Sequence, residues 1–144
     1  MTEKYNIERF LPKQDEMYDI ALREIQNGRK ESHWIWFIFP QLRGLGHSLY
    51  AKYFGIDGPE EARQYLEHPT LRARLEEISA ALLALDTDNA PAVMGYPDYL
   101  KLQSSMTLFA LISEPGSVYA RVLDKFYGGA RDAATLRLLK EQAP

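Results

Sequence analysis

Proline and glycine interrupt this chain so often, and so evenly, that no long regular element can form in it. Pro12, Gly28, Pro40, Gly55, Gly58, Pro59, Pro69, Pro91, Gly95, Pro97, Pro115, Gly116, Gly128 and Gly129 cut it into short segments. Each is a place where a helix starts, stops or turns. No linker-like tract separates two halves, and no repeat is present. One domain over residues 1–144 follows. Its 144 residues are enough for a proper core. At 46% hydrophobic and 26% charged residues, the composition is that of a globule and not of a disordered chain.

Within the segments the apolar residues recur at helical spacing. Over 13–27, Met17, Tyr18, Ala21, Leu22 and Ile25 form one stripe. Asp15 and Glu16 sit at the start of that segment, Arg29 and Lys30 beyond its end, which suits the helix dipole. The clearest pattern runs from 70 to 86, where Leu71, Leu75, Ile78, Leu82 and Leu85 mark a face and Arg72 and Glu76 pair across another. Asp57-Gly58-Pro59-Glu60-Glu61 opens a helix that ends near His68-Pro69. There Glu60 and Glu61 read as helix-start and solvent-face charges. Residues 48–54 predict a helix with Leu49, Tyr50 and Tyr53 inward. Further helices span 97–112, 116–127 and 132–141, the last with Ala133, Leu136 and Leu139 on its apolar side. The aromatic segment 33–39 suits a strand by composition. No partner strand exists for its backbone groups, so a short buried helix is the better reading. The fold class is therefore all-α, with seven or eight short helices.

Composition removes several chemistries. There is no cysteine, so disulfides, thiolate zinc sites and thiol nucleophiles are excluded. Three histidines, at 33, 47 and 68, are too few for a His-rich metal site, and no metal is expected. A net charge of -3 gives no field for an extended nucleic acid. No window reaches membrane-spanning length, and Met1 to Asn6 lacks the apolar stretch of a secretory leader. A cytoplasmic protein without membrane association is the expectation. No motif asks for a cofactor.

Two blocks carry residues that a plain core does not require. The first is Lys30-Glu31-Ser32-His33-Trp34-Ile35-Trp36-Phe37-Ile38-Phe39-Pro40-Gln41-Leu42, followed by Gly44-Leu45-Gly46-His47-Ser48. Trp34 and Trp36 are either core or the wall of a pocket. His33 is either a core histidine bonded to backbone or a ligand contact able to act as acid or base. Gln41 offers both donor and acceptor. Gly44, Gly46 and Ser48 form either a plain loop or a turn that offers N–H groups to an anion. The second block holds Asp98, Lys101, Ser104 and Ser105 on neighbouring faces of one helix. Asp98 and Lys101 are either a cap and a solvated charge or the rim of a pocket. Buried hydroxyls at 104 and 105 need partners, and a polar ligand is one. Asp132 either caps the last helix or joins the site. No Ser-His-Asp arrangement has geometric support.

These residues resemble a family. Arg9-Phe10, Gly28, Lys30, His33-Trp34-Ile35-Trp36, Phe39-Pro40-Gln41-Leu42, Gly44-Leu45-Gly46 and Ser48 look like the opening of the bacterial domain-of-unknown-function family 1810. The likeness continues through Glu61-Ala62, Tyr65-Leu66, His68-Pro69, Leu71, Arg74-Leu75, Asp98, Lys101-Leu102, Ser104-Ser105-Met106-Thr107-Leu108-Phe109, Asp132 and Thr135-Leu136. Some members carry a calpastatin-like label. It implies little here, because a calpain inhibitor is disordered and this composition folds. The family is also remotely similar to helical proteins that act on ADP-ribose-linked nucleotides and related N-glycosides.

The resemblance implies a pocket for a nucleotide-like or ADP-ribose-like small molecule, with N-glycoside hydrolysis as its reaction. Trp34 or Trp36 would stack on a base. Lys30 and Lys101, with N–H groups near Gly46, would hold phosphate. Asp98 or Asp132 would act as the catalytic carboxylate, steadying positive charge on the sugar. On this reading His33, Trp34 or Trp36, Gln41, Lys101 and Ser104 or Ser105 converge on one concavity with Asp132 at its rim. The competing reading is a non-enzymatic helical interaction module, whose aromatics are core or a partner-binding patch.

Overall fold

Nine α-helices follow one 3-10 turn through residues 5–142, the part of the chain that the computed structural model describes. The 3-10 turn is Ile7–Phe10. The helices are α1 (Leu11–Gln26), α2 (Ile35–Ile38), α3 (Leu49–Phe54), α4 (Pro59–Glu67), α5 (Pro69–Leu83), α6 (Ala90–Met94), α7 (Asp98–Leu111), α8 (Val118–Tyr127) and α9 (Ala133–Gln142). Among the described residues, strand-like pairing amounts to one isolated parallel bridge, Leu42 with Ile56. The Arg43 N–H donates to the Ile56 carbonyl at 2.7 Å and the Ile56 N–H to the Gln41 carbonyl at 2.9 Å. The all-α reading stands, and the aromatic segment forms the short helix α2.

The punctuation works as its chemistry dictates. Pro12, Pro59, Pro69 and Pro91 all lie in the first two positions of a helix, where a missing N–H does no harm. Ser48, Asn89 and Ser117 cap α3, α6 and α8 by accepting from Ala51, Ala92 and Ala120. Gly128 ends α8 in the left-handed region at φ 60°.

The centre of the fold is α7. Leu102 and every residue from Ser104 to Phe109 are buried. A helix enclosed on all sides sits inside the bundle, not on its surface. α7 packs against α8, α6, α9, α2 and α4, while α1 and α8 flank α5. Phe10, Tyr65 and Phe109 continue the core from the first turn through α4 to α7, with Phe10 edge-on to Tyr65 at 5.0 Å.

Four local expectations are corrected. Leu49, at 85% exposed, Tyr50 and Tyr53 do not point inward; Ala51 and Phe54 are the buried residues of α3. The helix is six residues long; Phe54 packs against Phe10 and Phe37, while Tyr50, 40% exposed, meets the Phe37 and Trp36 rings. Glu61 is not a solvent-face charge. It is buried against Arg9 at 2.5 Å and accepts the Asp57 N–H at 2.7 Å. In α9 Ala133 is exposed and Thr135 is the buried residue, because Thr135 meets the Asp132 cap. Finally, α6 was not foreseen: at five residues between Asn89 and Gly95 it is too short to show a period.

Candidate functional site

The segment before α2 has no regular structure, and one carboxylate holds it. Glu24, on α1, accepts from the N–H of Glu31 at 2.8 Å, the N–H of Ser32 at 2.9 Å, the Ser32 hydroxyl at 2.6 Å and the Trp34 indole N–H at 2.9 Å. Burial pushes its pKa up, but these four donors outweigh burial and hold it at about 2. Ser32 is thus tied to Glu24 through both its N–H and its hydroxyl. Trp34 is fixed as core, and its indole has no free donor. The sequence reading missed Glu24 because its partners lie in an irregular segment with no period to reveal them.

From this anchor a charge ladder runs toward α7. Lys30 Nζ lies 4.8 Å from the centroid of the Trp34 ring and 2.7 Å from Asp98 Oδ2. Asp98 Oδ1 meets Lys101 Nζ at 3.3 Å, and Lys101 Nζ lies 5.3 Å from the Trp36 ring centroid. Lys30 is buried, and the Asp98 carboxylate is shielded between two ammonium groups. The ladder carries one net positive charge, and Lys101 is its open end.

Lys101 is also one wall of a concavity of about 250 Å³. Gln41, Gly46, Ser104 and Asp132 share it, with Leu45, Pro97, Leu100 and Ala134 as its apolar parts. Gln41 is held here by the Leu42–Ile56 bridge beside it. The residue is only 7% exposed, and its side-chain amide, bonded to no other group among the described residues, opens onto the concavity. Gly46 is required for close approach: a Cβ there would stand 2.8 Å from Ala51 Cβ and 3.5 Å from Gln41 Nε2. Ser104 donates to the Leu100 carbonyl at 3.1 Å and keeps its lone pairs. Asp132 accepts through Oδ2 from the Thr135 N–H at 2.9 Å and the Thr135 hydroxyl at 2.6 Å, capping α9. Its own N–H donates to Thr107 Oγ1 at 2.9 Å, which ties the cap to α7.

The remaining site residues of the sequence reading lie elsewhere. Trp36 is half-buried and lines, with Gln41 and Tyr50, a small crevice beside the concavity. Lys30 reaches the site only through Asp98. His33 and Gly44 are exposed and form no part of the wall. Ser48 uses its hydroxyl to cap the six-residue α3. Ser105 is enclosed and its hydroxyl has no partner among the described residues. Five of the expected residues therefore meet at one concavity, and Trp34, His33 and Ser105 do not join them. Among the described residues, no three His, Asp or Glu side chains gather as metal ligands. No helix among them is long and apolar enough to cross a membrane.

The same two blocks, Lys30 to Ser48 and Asp98 to Phe109, lie inside residues 4–139, which match the family model described as protein of unknown function (DUF1810). The chain belongs to the DUF1810 family. A solved structure, that of the conserved hypothetical protein Rv1873 from Mycobacterium tuberculosis, is similar to this chain with a TM-score of 0.92 at 40% identity. The match covers 96% of this chain and 99% of that one. No curated protein matches the chain significantly.

Proposed function

We propose that the concavity between the Gln41–Gly46 turn and α7 binds the phosphate-bearing end of a small nucleotide-like or ADP-ribose-like molecule. The buried Gln41 amide carries the reading. The amide is bonded to no protein group among the described residues and opens onto the concavity, so a donor and an acceptor stand ready there for a polar ligand. Lys101 supplies positive charge beside it, and Ser104 and Asp132 supply acceptors suited to sugar hydroxyls. At about 250 Å³ the concavity falls below the ~300–1,000 Å³ usual for a whole small ligand. It therefore takes one end of the molecule, with the rest lying over the rim toward Trp36.

Binding is better supported than hydrolysis. Asp98 is a counter-ion to two lysines, and one oxygen of Asp132 is a helix cap. A glycosidase needs a pair of carboxylates free to exchange protons and face the sugar. Calorimetry of the full chain with ADP-ribose, NAD and AMP tests the reading. Lys101→Ala should weaken binding roughly tenfold or more while leaving thermal stability nearly unchanged. Absence of heat from all three compounds at millimolar concentration would sink it.

One observation favours the interaction-module reading: Leu49 and Tyr53 are 85% and 55% exposed on the same short helix. On that reading Leu49→Glu abolishes concentration-dependent association in sedimentation and leaves ADP-ribose titrations untouched. Sedimentation of the unaltered chain as a monomer throughout removes the self-association form of it.

A further inference from the structure

Lys30 holds a charge that solvent barely reaches. Its side chain is 5% exposed, and its ammonium is engaged on three sides: by the Ser32 carbonyl at 2.5 Å, by Asp98 Oδ2 at 2.7 Å and by the face of the Trp34 ring at 4.8 Å to the centroid. Its backbone N–H donates to the Val93 carbonyl at 2.7 Å, which fixes the residue against α6. Trp34 is itself tied to Glu24. An ammonium so enclosed and so occupied cannot bond to a ligand directly. Burying it is costly, and an apolar side chain of like size often serves stability as well or better. Packing therefore does not call for a charge at position 30.

The use of that charge is set by its partner. Asp98 stands in the first turn of α7 and divides its two oxygens. Oδ2 lies 2.7 Å from Lys30 Nζ, and Oδ1 lies 3.3 Å from Lys101 Nζ. The carboxylate is held closely by the enclosed lysine and more loosely by the open one. Lys101, 25% exposed, stands in the wall of the concavity beside Gln41 and Ser104. With both lysines in place the three groups sum to one positive charge, and it shows at Lys101. Without Lys30, Asp98 would belong to Lys101 alone. The sum would be zero, and an anion entering the concavity would meet an ammonium already neutralised.

We propose that Lys30 is a positioning residue for the concavity: by engaging Asp98 from inside the fold, it leaves Lys101 with a charge to offer an anionic ligand, a role that rests on the phosphate-binding reading of this site. Trp36 supplies a readout that needs no nucleotide. Its ring centroid lies 5.3 Å from Lys101 Nζ and the residue is half-buried, whereas Trp34 is fully enclosed. Iodide is an anion, so its quenching of Trp36 rises with positive charge beside the ring. Acrylamide is neutral and reports access alone.

The three proteins to compare are the unaltered chain, Lys30→Met, and Lys30→Met combined with Asp98→Asn. Methionine keeps the apolar stem, and neither variant buries an unpaired charge: Asp98 retains Lys101 in the first and is neutral in the second. At constant ionic strength the iodide-to-acrylamide quenching ratio should fall by roughly half in Lys30→Met and return in the double variant, where Lys101 shows its full charge again. ADP-ribose affinity in calorimetry should follow, roughly tenfold weaker in the single variant and restored in the double. Damage to the fold would not be repaired by a second substitution. An unchanged quenching ratio in Lys30→Met, or a double variant no better than the single, overturns the proposal. So does ADP-ribose binding equally to all three proteins. If quenching follows the charge while ADP-ribose binds to none of them, Lys30 still sets the charge of Lys101, and it is the nucleotide reading that fails.

Discussion

Glu24 is a single carboxylate on which a whole irregular segment depends. Its four donors include two backbone N–H groups, so it replaces the secondary structure that residues 31–34 lack. Its folded pKa of about 2 lies below the ordinary value of 4.5. A depressed carboxylate stabilises the fold fully above its unfolded pKa and loses that contribution as pH falls toward the folded one. Glu24→Gln should therefore cost roughly 2–3 kcal/mol at pH 7. The difference between variant and unaltered chain should shrink as pH falls from about 4.5 toward about 2, read by urea denaturation at each pH. A constant difference across that window would mean that packing, not charge, is lost. Residues of this kind were invisible in the sequence, where Glu24 is one more acid on a helix. Gln41 and Lys101 were legible, because a polar residue inside an aromatic or apolar block violates the local pattern. Trp34 and His33 look equally conspicuous in sequence, yet one is core and the other exposed. Type and neighbours do not show which way an irregular segment turns its side chains.

Helices with several turns were legible because their period repeats: α1, α5, α7 and α8 fall close to the expected spans. Among the short elements α2 and α3 were expected as helices, but the inward face of α3 and the existence of α6 were not legible. α3 and α6 have six and five residues, too few for periodicity to outvote a misleading run of aromatics or a proline. At α9 the inward face was misjudged because Thr135, a polar residue, is the buried one. Its hydroxyl is satisfied by Asp132, which makes that aspartate both cap and cavity wall. The two roles separate by substitution. Asp132→Asn keeps an oxygen for the cap and should leave the melting temperature almost unchanged, since Asn and Asp cap about equally well. Asp132→Ala should cost about 1 kcal/mol. If Asp132→Asn binds ADP-ribose as the unaltered chain does, its charge has no part in the site.

At the scale of the molecule, Arg9 decides whether the first turn belongs to the same folding unit as the rest. Its guanidinium reaches the Glu61 carboxylate at 2.5 Å, the Tyr53 and Gly55 carbonyls at 2.8 Å each, and the Asn6 carbonyl at 2.8 Å. These contacts join the 3-10 turn to the α3–α4 connection, more than forty residues away in sequence. Lysine cannot reproduce them, because a point charge with one nitrogen lacks the planar fork. Removing the guanidinium leaves Glu61 buried with one N–H donor, from Asp57, and no counter-charge. Breaking a buried pair from one side typically costs 3–5 kcal/mol. Arg9→Ala should fall within about that range and Arg9→Lys only slightly below it. If residues 5–142 unfold as one unit, the loss appears as a lower urea midpoint with an unchanged slope, and tryptophan fluorescence and far-ultraviolet circular dichroism move together. The fluorescence reports from Trp34 and Trp36, which Arg9 does not touch. A midpoint shift in circular dichroism alone would show instead that the first turn frays by itself, and would break the expectation of a single domain.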